Sequence, residues 1–324
     1  MLVYLLFVIG FVLLIKGADY LVDGASSIAK KYHVSDMMVG LTIVSFGTSM
    51  PEMIVNVLAS IDGNADIALG NIFGSNIANI LLILGVSAII CPLPIQRSTV
   101  LSEIPFSLIA SLLIGFLANA ALFDTQAKMM VSRLDGAILL FFFWLFMVYV
   151  FKTSQSQTEE IGQEGGGSDE VKIYPTGKAI AMIAGGVAGL FLGGKFVVDG
   201  AVSIAEYFGM SESLVGLTVV AVGTSLPELI TSATAAYKKN TDIAVGNVVG
   251  SNIFNILWVL GLSATIYPLE FSVINNDDLL MVIFSSTFII VLMIFSGKRL
   301  IGKKQGILLV LLYIAYTYFI VKRG

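Results

Sequence analysis

Gly47-Thr-Ser-Met-Pro-Glu52 and Gly223-Thr-Ser-Leu-Pro-Glu228 stand 176 residues apart and differ at one position. The same shift aligns Asp23-Gly-Ala with Asp199-Gly-Ala, and Asp66-Ile-Ala-Leu-Gly-Asn71 with Asp242-Ile-Ala-Val-Gly-Asn247. It also aligns Gly74-Ser-Asn-Ile-Ala-Asn79 with Gly250-Ser-Asn-Ile-Phe-Asn255. Between positions 39 and 88, 29 of 50 residues are identical to their counterparts without a gap. Shared hydrophobicity does not produce that agreement, so the chain is a tandem duplication.

The duplicated unit is a membrane unit. Hydrophobic residues make up 57% of the 324 positions, charged residues 12%, and the mean hydropathy is +0.93. Soluble domains carry about 25% charged residues to make a polar surface, so this surface faces lipid. Apolar runs long enough to cross a hydrocarbon core of about 30 Å follow one another. They predict ten spans near 2–20, 37–60, 66–90, 99–119, 134–151, 177–198, 212–236, 242–266, 279–296 and 305–321. The first run lacks a basic residue before it and a small-residue cleavage site after it, and reads as a retained helix. The long polar stretch Lys152–Tyr174, with Ser154-Gln-Ser-Gln and Gly165-Gly-Gly-Ser-Asp, reads as a flexible linker. The expected organisation is a first repeat over 1–151, a linker over 152–176 and a second repeat over 177–324.

Five spans per copy is an odd number, so the second copy enters the membrane from the opposite side. The expected fold is therefore all-α and polytopic, with ten transmembrane helices in two inverted five-helix repeats. Such repeats build transporters whose site lies at the repeat interface near the midplane. The distribution of Lys and Arg sets the orientation. With the N-terminus outside, twelve basic residues fall on the inner side and four on the outer. Both termini are accordingly expected outside, in a multi-pass cell-membrane protein.

Charges within spans are costly, so each is a functional candidate. Glu52 and Glu228 lie about two-thirds of the way along their spans, directly after Pro51 and Pro227. Each proline should kink its helix and free a carbonyl near Gly47 and Gly223. Irregular backbone at that depth lines polar cavities. Ser45, Thr48, Ser49, Glu52 and Asn56 fall on one helical face, and the second copy supplies Ala221, Thr224, Ser225, Glu228 and Ser232. In the next span Asn71, Ser75 and Asn79 recur every four residues, as do Asn247, Ser251 and Asn255. Inverted symmetry would gather these faces into a site of two carboxylates with hydroxyl, amide and carbonyl oxygens. Hard cations such as calcium take such oxygen shells. One histidine and one cysteine, Cys91, argue against a soft-metal site, a disulfide or a redox pair. No basic tract points to nucleic acid.

Other features read as structural. Gly70 with Gly74, Gly246 with Gly250, and the glycines at 185, 189 and 193 are expected to be close-packing faces. Asp66 and Asp242 sit where spans begin and are expected to be N-caps. His33 and the pair Asp277-Asp278 read as solvated loop residues.

The four motifs, in this order and in this ten-span layout, resemble the two alpha-repeats of the sodium/calcium exchanger family of calcium/cation antiporters, in its prokaryotic two-repeat form. The resemblance covers the whole chain. It implies a core of the second, third, seventh and eighth helices, across which the first and sixth slide. It implies calcium at Glu52 and Glu228, helped by the carbonyls of Thr48 and Thr224. It places sodium with Ser49, Ser75, Ser225 and Ser251 and with carbonyls at Ala221 and Ser45. Asn79 is the family's usual residue, whereas Asn255 stands where well-studied members carry Asp. That keeps an oxygen ligand and removes a negative charge.

The expected function is calcium/sodium antiport by alternating access, with calcium and sodium as substrates, the lipid bilayer as surroundings, no cofactor, no enzymatic activity and no obligatory protein partner. The alternatives are proton or potassium coupling within the same superfamily, and a cation channel. A channel sets its filter on an axis normal to the membrane, which inverted repeats with a midplane acid pair do not favour.

Overall fold

The structure is a computed structural model that describes residues 2–96, 98–120, 128–161, 172–207, 221–296 and 299–323. It is helical almost throughout, since only helices and closed barrels satisfy backbone hydrogen bonds within lipid. Helix α1 (Leu2–Tyr32) ends on Lys30 and Lys31, which complement its C-terminal dipole. A turn through His33, at φ 55°, leads to Ser35, whose hydroxyl caps the next helix by accepting from the Met38 N–H. Helix α2 (Asp36–Thr48) and α3 (Met50–Ile61) meet at a 48° bend at Ser49, two residues before Pro51. The kink expected from the proline is therefore present.

After a tight turn at Gly63 (φ 72°) come α4 (Ala65–Ile90), the short strand β1 (Leu93–Pro94), α5 (Thr99–Ala118), β2 (Met130–Val131) and α6 (Arg133–Ile161). Helix α6 runs into the polar stretch that begins at Lys152, and residues 162–171 lie outside the described residues. The second copy follows as α7 (Thr176–Tyr207), α8 (Ala221–Thr224), α9 (Leu226–Tyr237), α10 (Thr241–Ile266), β3 (Leu269–Glu270), α11 (Asn275–Ser296), β4 (Leu300–Ile301) and α12 (Lys303–Arg323). Ser225 breaks α8 from α9 with nearly the dihedrals of Ser49: φ −86°, ψ 5° against φ −83°, ψ 8°.

Among the described residues eight helices are long and apolar enough to cross a membrane, and α2 with α3 makes a ninth as one bent span. Residues 212–220 of the remaining expected span lie outside the described residues. The expected caps shift by two residues: Asn64 and Asn240, not Asp66 and Asp242, accept from the third N–H of α4 and α10. Each aspartate instead occupies the first helical turn, where Asp242 accepts from Gln96 at 2.7 Å. An amide on the residue just before the helix reaches forward to the free N–H of the third helical residue, the bond an N-cap side chain makes.

Helices α4 and α10 are enclosed by protein, while α1, α5, α6, α7, α11 and α12 turn most of their length outward. Strand β1 pairs with β4, and β2 with β3, so each two-residue ribbon joins the first copy to the second. The turn 62–66 lines one cavity with β2 and β3, whereas Gln96 beside β1 reaches Asp242. The ribbons thus lie at opposite ends of α4. We call the β1–β4 end the linker face. The last helix of each copy also crosses over. A Cβ at Gly136 of α6 would lie 2.7 Å from Gly261 O of α10, and one at Gly306 of α12 would lie 2.6 Å from Gly85 O of α4.

Helices α1 and α7 pair antiparallel along their length. Gly10, Gly17 and Gly24, one every seven residues, meet Gly193, Gly186 and Ala179, with backbone oxygens 2.9 Å from where each Cβ would stand. Only small residues permit that approach. Gly193 and Gly189 keep their expected role, but Gly186 takes the one assigned to Gly185, which meets nothing within 4 Å among the described residues. Gly246 and Gly250 pack on Met37, Leu41 and Ser45 of α2 as expected; Gly70 and Gly74 meet nothing among the described residues, and most of their symmetric partner segment, 213–221, lies outside them.

Candidate functional site

The two bends bring Glu52 and Glu228 inside the protein, where they are 0% and 1% exposed. Each carboxylate meets the bend serine of the other copy. Ser49, at the first bend, donates to Glu228 Oε1 at 3.0 Å, and Thr48 lies beside the same carboxylate. Ser225, at the second bend, bonds Ser75 at 3.2 Å, and both hydroxyls lie beside Glu52. Neither oxygen of Glu52 has a hydrogen-bond donor within the described protein, nor does Glu228 Oε2.

Asn71 and Asn247 act as symmetric braces. Asn71 donates to Asn56 Oδ1 at 2.6 Å and to Glu52 O at 3.4 Å; Asn247 donates to Ser232 Oγ at 2.9 Å and to Glu228 O at 3.4 Å. Their own oxygens accept from the opposite copy, Thr224 giving its hydroxyl to Asn71 at 3.3 Å and Thr48 to Asn247 at 3.0 Å. Asn56 donates to Ala68 O and Ser232 to Ala244 O, which fixes the carboxylate-bearing helices α3 and α9 to α4 and α10.

A second layer lies where α4 and α10 face each other. Asn76 and Asn252 donate to each other's backbone carbonyl, both at 3.3 Å. Their side-chain oxygens accept from Asn255 at 3.1 Å and Asn79 at 2.9 Å. The four amide nitrogens are thereby engaged, and the oxygens Asn79 Oδ1 and Asn255 Oδ1 remain without a donor, as does Ser251 Oγ. Asn79 and Asn255 begin wide π-helical turns, Ala78–Ile83 and Phe254–Val259, in which their carbonyls accept from Leu84 and Leu260 five residues on. Such turns recur at functional sites.

Of the residues expected at the site, Thr48, Ser49, Glu52, Ser75, Asn79, Ser225, Glu228, Ser251 and Asn255 are all buried here. Thr224 is half-buried on the wall of a cavity with Pro51 and Pro227. Ser45 turns its hydroxyl to Leu41 O at 2.7 Å in its own helix, and its carbonyl accepts from Ser49 N at 3.0 Å. Ala221 lies in α8, and its side chain lies outside the described residues. The reading of the sequence missed Asn76 and Asn252. Their identity in both copies of Gly-Ser-Asn was the available signal.

Two further acids are buried within spans. Glu103 is 2% exposed and accepts from Tyr149 at 2.7 Å. Asp278, expected in solvent, is instead 8% exposed, accepting from Tyr316 at 2.9 Å and from Arg323 at 3.0 and 3.1 Å. The C-terminal part of α12 supplies both partners, which the local sequence around Asp278 does not reveal.

A buried shell of acceptor oxygens with its donors already spent suits a hard cation: two carboxylates supply charge, and amide and hydroxyl oxygens complete the coordination.

Comparisons with known proteins agree. The family described as "Sodium/calcium exchanger protein" matches residues 2–152 and 178–322. The sodium/calcium exchanger MaX1 of Methanosarcina acetivorans is 33% identical over 339 residues, covering 97% of each chain. Inner membrane protein YrbG of Escherichia coli is 39% identical over 269 residues, 82% of this chain and 80% of that one. The solved structure of the sodium-calcium exchanger NCX_Mj soaked with Na+ and Ca2+ superposes with a TM-score of 0.78 at 31% identity over 97% of both chains. With its apolar spans and this match along nearly its whole length, the chain belongs to the sodium/calcium exchanger family and is a multi-pass membrane antiporter.

Proposed function

We propose that this antiporter exchanges calcium for sodium by alternating access, with Glu52 and Glu228 as the shared charged ligands. The observation that carries the reading is the set of buried oxygens without donors: both of Glu52, Glu228 Oε2, Asn79 Oδ1, Asn255 Oδ1 and Ser251 Oγ. Calcium takes the carboxylates, with the carbonyls of Thr48 and Thr224; sodium ions take the serine hydroxyls of Ser49, Ser75, Ser225 and Ser251, the two amide oxygens, and the carbonyls of Ser45 and Ala221. Bound cations neutralise the two carboxylates. An empty site keeps its charge, and charge is costly to carry past a low-dielectric barrier. That penalty couples the two ions. The α1–α7 pair is the moving body and the rest of the bundle the frame. The organisation is a first repeat to residue 151, a linker to 176 and a second repeat from 177, in an orientation that leaves both termini outside and the linker face in the cytoplasm, supported by the twelve-to-four division of basic residues.

The deciding experiment is calcium-45 uptake into proteoliposomes loaded with sodium, with potassium, or at acid pH against a neutral bath. Uptake driven by the sodium load is expected. Uptake driven only by acid or only by potassium would replace sodium as the coupling ion while leaving the calcium ligands in place.

A further inference from the structure

The 176-residue shift pairs Asp19 of α1 with Lys195 of α7, Asp23 with Asp199, and Lys238 in the turn after α9 with Asp62 in the turn after α3. Lys238 Nζ lies 3.1 Å from Asp19 Oδ1 and 2.7 Å from Asp23 Oδ1, tying α1 to the α9–α10 turn at the linker face. The symmetric contact would join Lys195 to Asp62, with the two charges exchanged between helix and turn. Both residues are exposed, and among the described residues neither has an ion-pair partner.

Packing follows the same asymmetry. Helix α1 lies along α9, whereas α7 stands off α3. A cavity of about 220 Å³ fills that gap, lined among others by Pro51, Ile54, Val55, Lys195 and Val198. Val22, the counterpart of Val198 on α1, is 1% exposed. One contact is closed at the linker face, and its equivalent is open at the other.

We propose that Lys238–Asp19/Asp23 and Lys195–Asp62 are reciprocal latches, one closing as the other opens when the site changes the side it faces. This rests on the alternating-access reading above. Because the two copies carry the same motifs, the oppositely facing state is reached when they exchange conformations, and equivalent contacts must exchange with them. The glycine seam makes α1 and α7 one body, so α7 approaching α3 carries α1 away from α9. An exposed ion pair biases such an equilibrium by roughly two- to fivefold.

The test is the labelling rate of Val22→Cys by a maleimide in purified, detergent-solubilised protein, in a Cys91→Ala background. Val22 is buried while the first latch is closed, so its thiol reports the other state even where that state is scarce. Lys238→Gln should raise the rate about two- to fivefold, Asp62→Asn should lower it by a similar factor, and the double variant should return it to the parent value. Removing the lysine also removes a charge that favours the reactive thiolate, so a local effect cannot mimic the rise. The charge swap Lys195→Asp with Asp62→Lys restores the pair and should label within about twofold of the parent, which guards against a folding defect in Asp62→Asn. Rates that do not change, or that move in the same direction for both single variants, overturn the latches. Labelling needs no transport, so this failure is distinct from failure of sodium coupling.

Discussion

Glu52 and Glu228 occupy one position in two copies of one motif, and their surroundings differ. Glu228 has a donor in Ser49, while Glu52 has none, because Ser225 bonds Ser75 instead. The repeat preserves the two carboxylates and leaves their hydrogen bonds to the conformation each copy adopts. The helix that α7 stands away from, α3, is also the one that bears the bare carboxylate. Sequence symmetry thus specifies a pair of equal acids, and the asymmetric bundle makes them unequal.

The severest way to break the comparison is to neutralise each acid. Glu52→Gln and Glu228→Gln should both reduce calcium exchange in proteoliposomes to background, with expression and thermal stability nearly kept, since amide and carboxylate are close in shape. Near-normal flux in either variant removes that residue from the ligand set.

Protons test the pair together. A protonated carboxylate gives up the charge that holds calcium, so the apparent calcium KM should rise as pH falls, by up to about tenfold per pH unit for one competing proton. The detergent-solubilised protein should keep its melting temperature over the same range. A flat KM with a falling maximal rate would place the competing proton elsewhere.

Replacing the serines sharpens the difference itself. Ser49→Ala removes a hydrogen bond to a charged group, an interaction worth about 1.5–3 kcal/mol, and should raise the calcium KM by about ten- to a hundredfold. Ser225→Ala removes a hydroxyl–hydroxyl bond worth about 1 kcal/mol and should raise it less than about fivefold. Equal effects in flux assays would mean that the two carboxylates are equivalent during transport.

Asn255 tests the layer beneath. Asn255→Leu deletes a neutral oxygen and should weaken sodium coupling a few-fold while changing calcium affinity less, because calcium keeps both glutamates. Asn255→Asp should exchange near normally at neutral pH and gain a dependence on alkaline pH. Sodium-dependent calcium flux against pH reads both, and wild-type exchange by Asn255→Leu would make Asn255 a packing residue. The smallest effect on transport belongs to Asp278→Asn. It should lose about 1.5–3 kcal/mol of stability, seen as a lower melting temperature, and leave flux within about twofold.

Much of this was legible in the sequence where a feature is local or repeated. The Pro-Glu pairs, the bend before Pro51 and the oxygen-bearing face of each core span follow from helical spacing. Features that depend on the partner helix were not. Gly186 rather than Gly185 meets α1 because the phase of α7 against α1 is set in three dimensions. Asp278 looked solvated because Tyr316 and Arg323 lie about forty residues on. Asn76 and Asn252 sit beside the regular four-residue row, and their role appears only when α4 and α10 face each other. Strands of two residues, such as Leu93–Pro94, carry no period to read.

Those short strands have a consequence for how the chain holds together. Each copy lends the other one strand at each face and its last helix, α6 on α10 and α12 on α4. Two identical, oppositely inserted chains would make the same exchange around a two-fold axis, with every contact occurring twice. The single polypeptide is therefore assembled like a dimer whose subunits have been fused, and the stretch between α6 and α7 joins partners already interlocked by their own surfaces. A lone copy would have unpaired ribbons and an unseated last helix, so a chain truncated after the first copy lacks half of its own fold as well as half of its site.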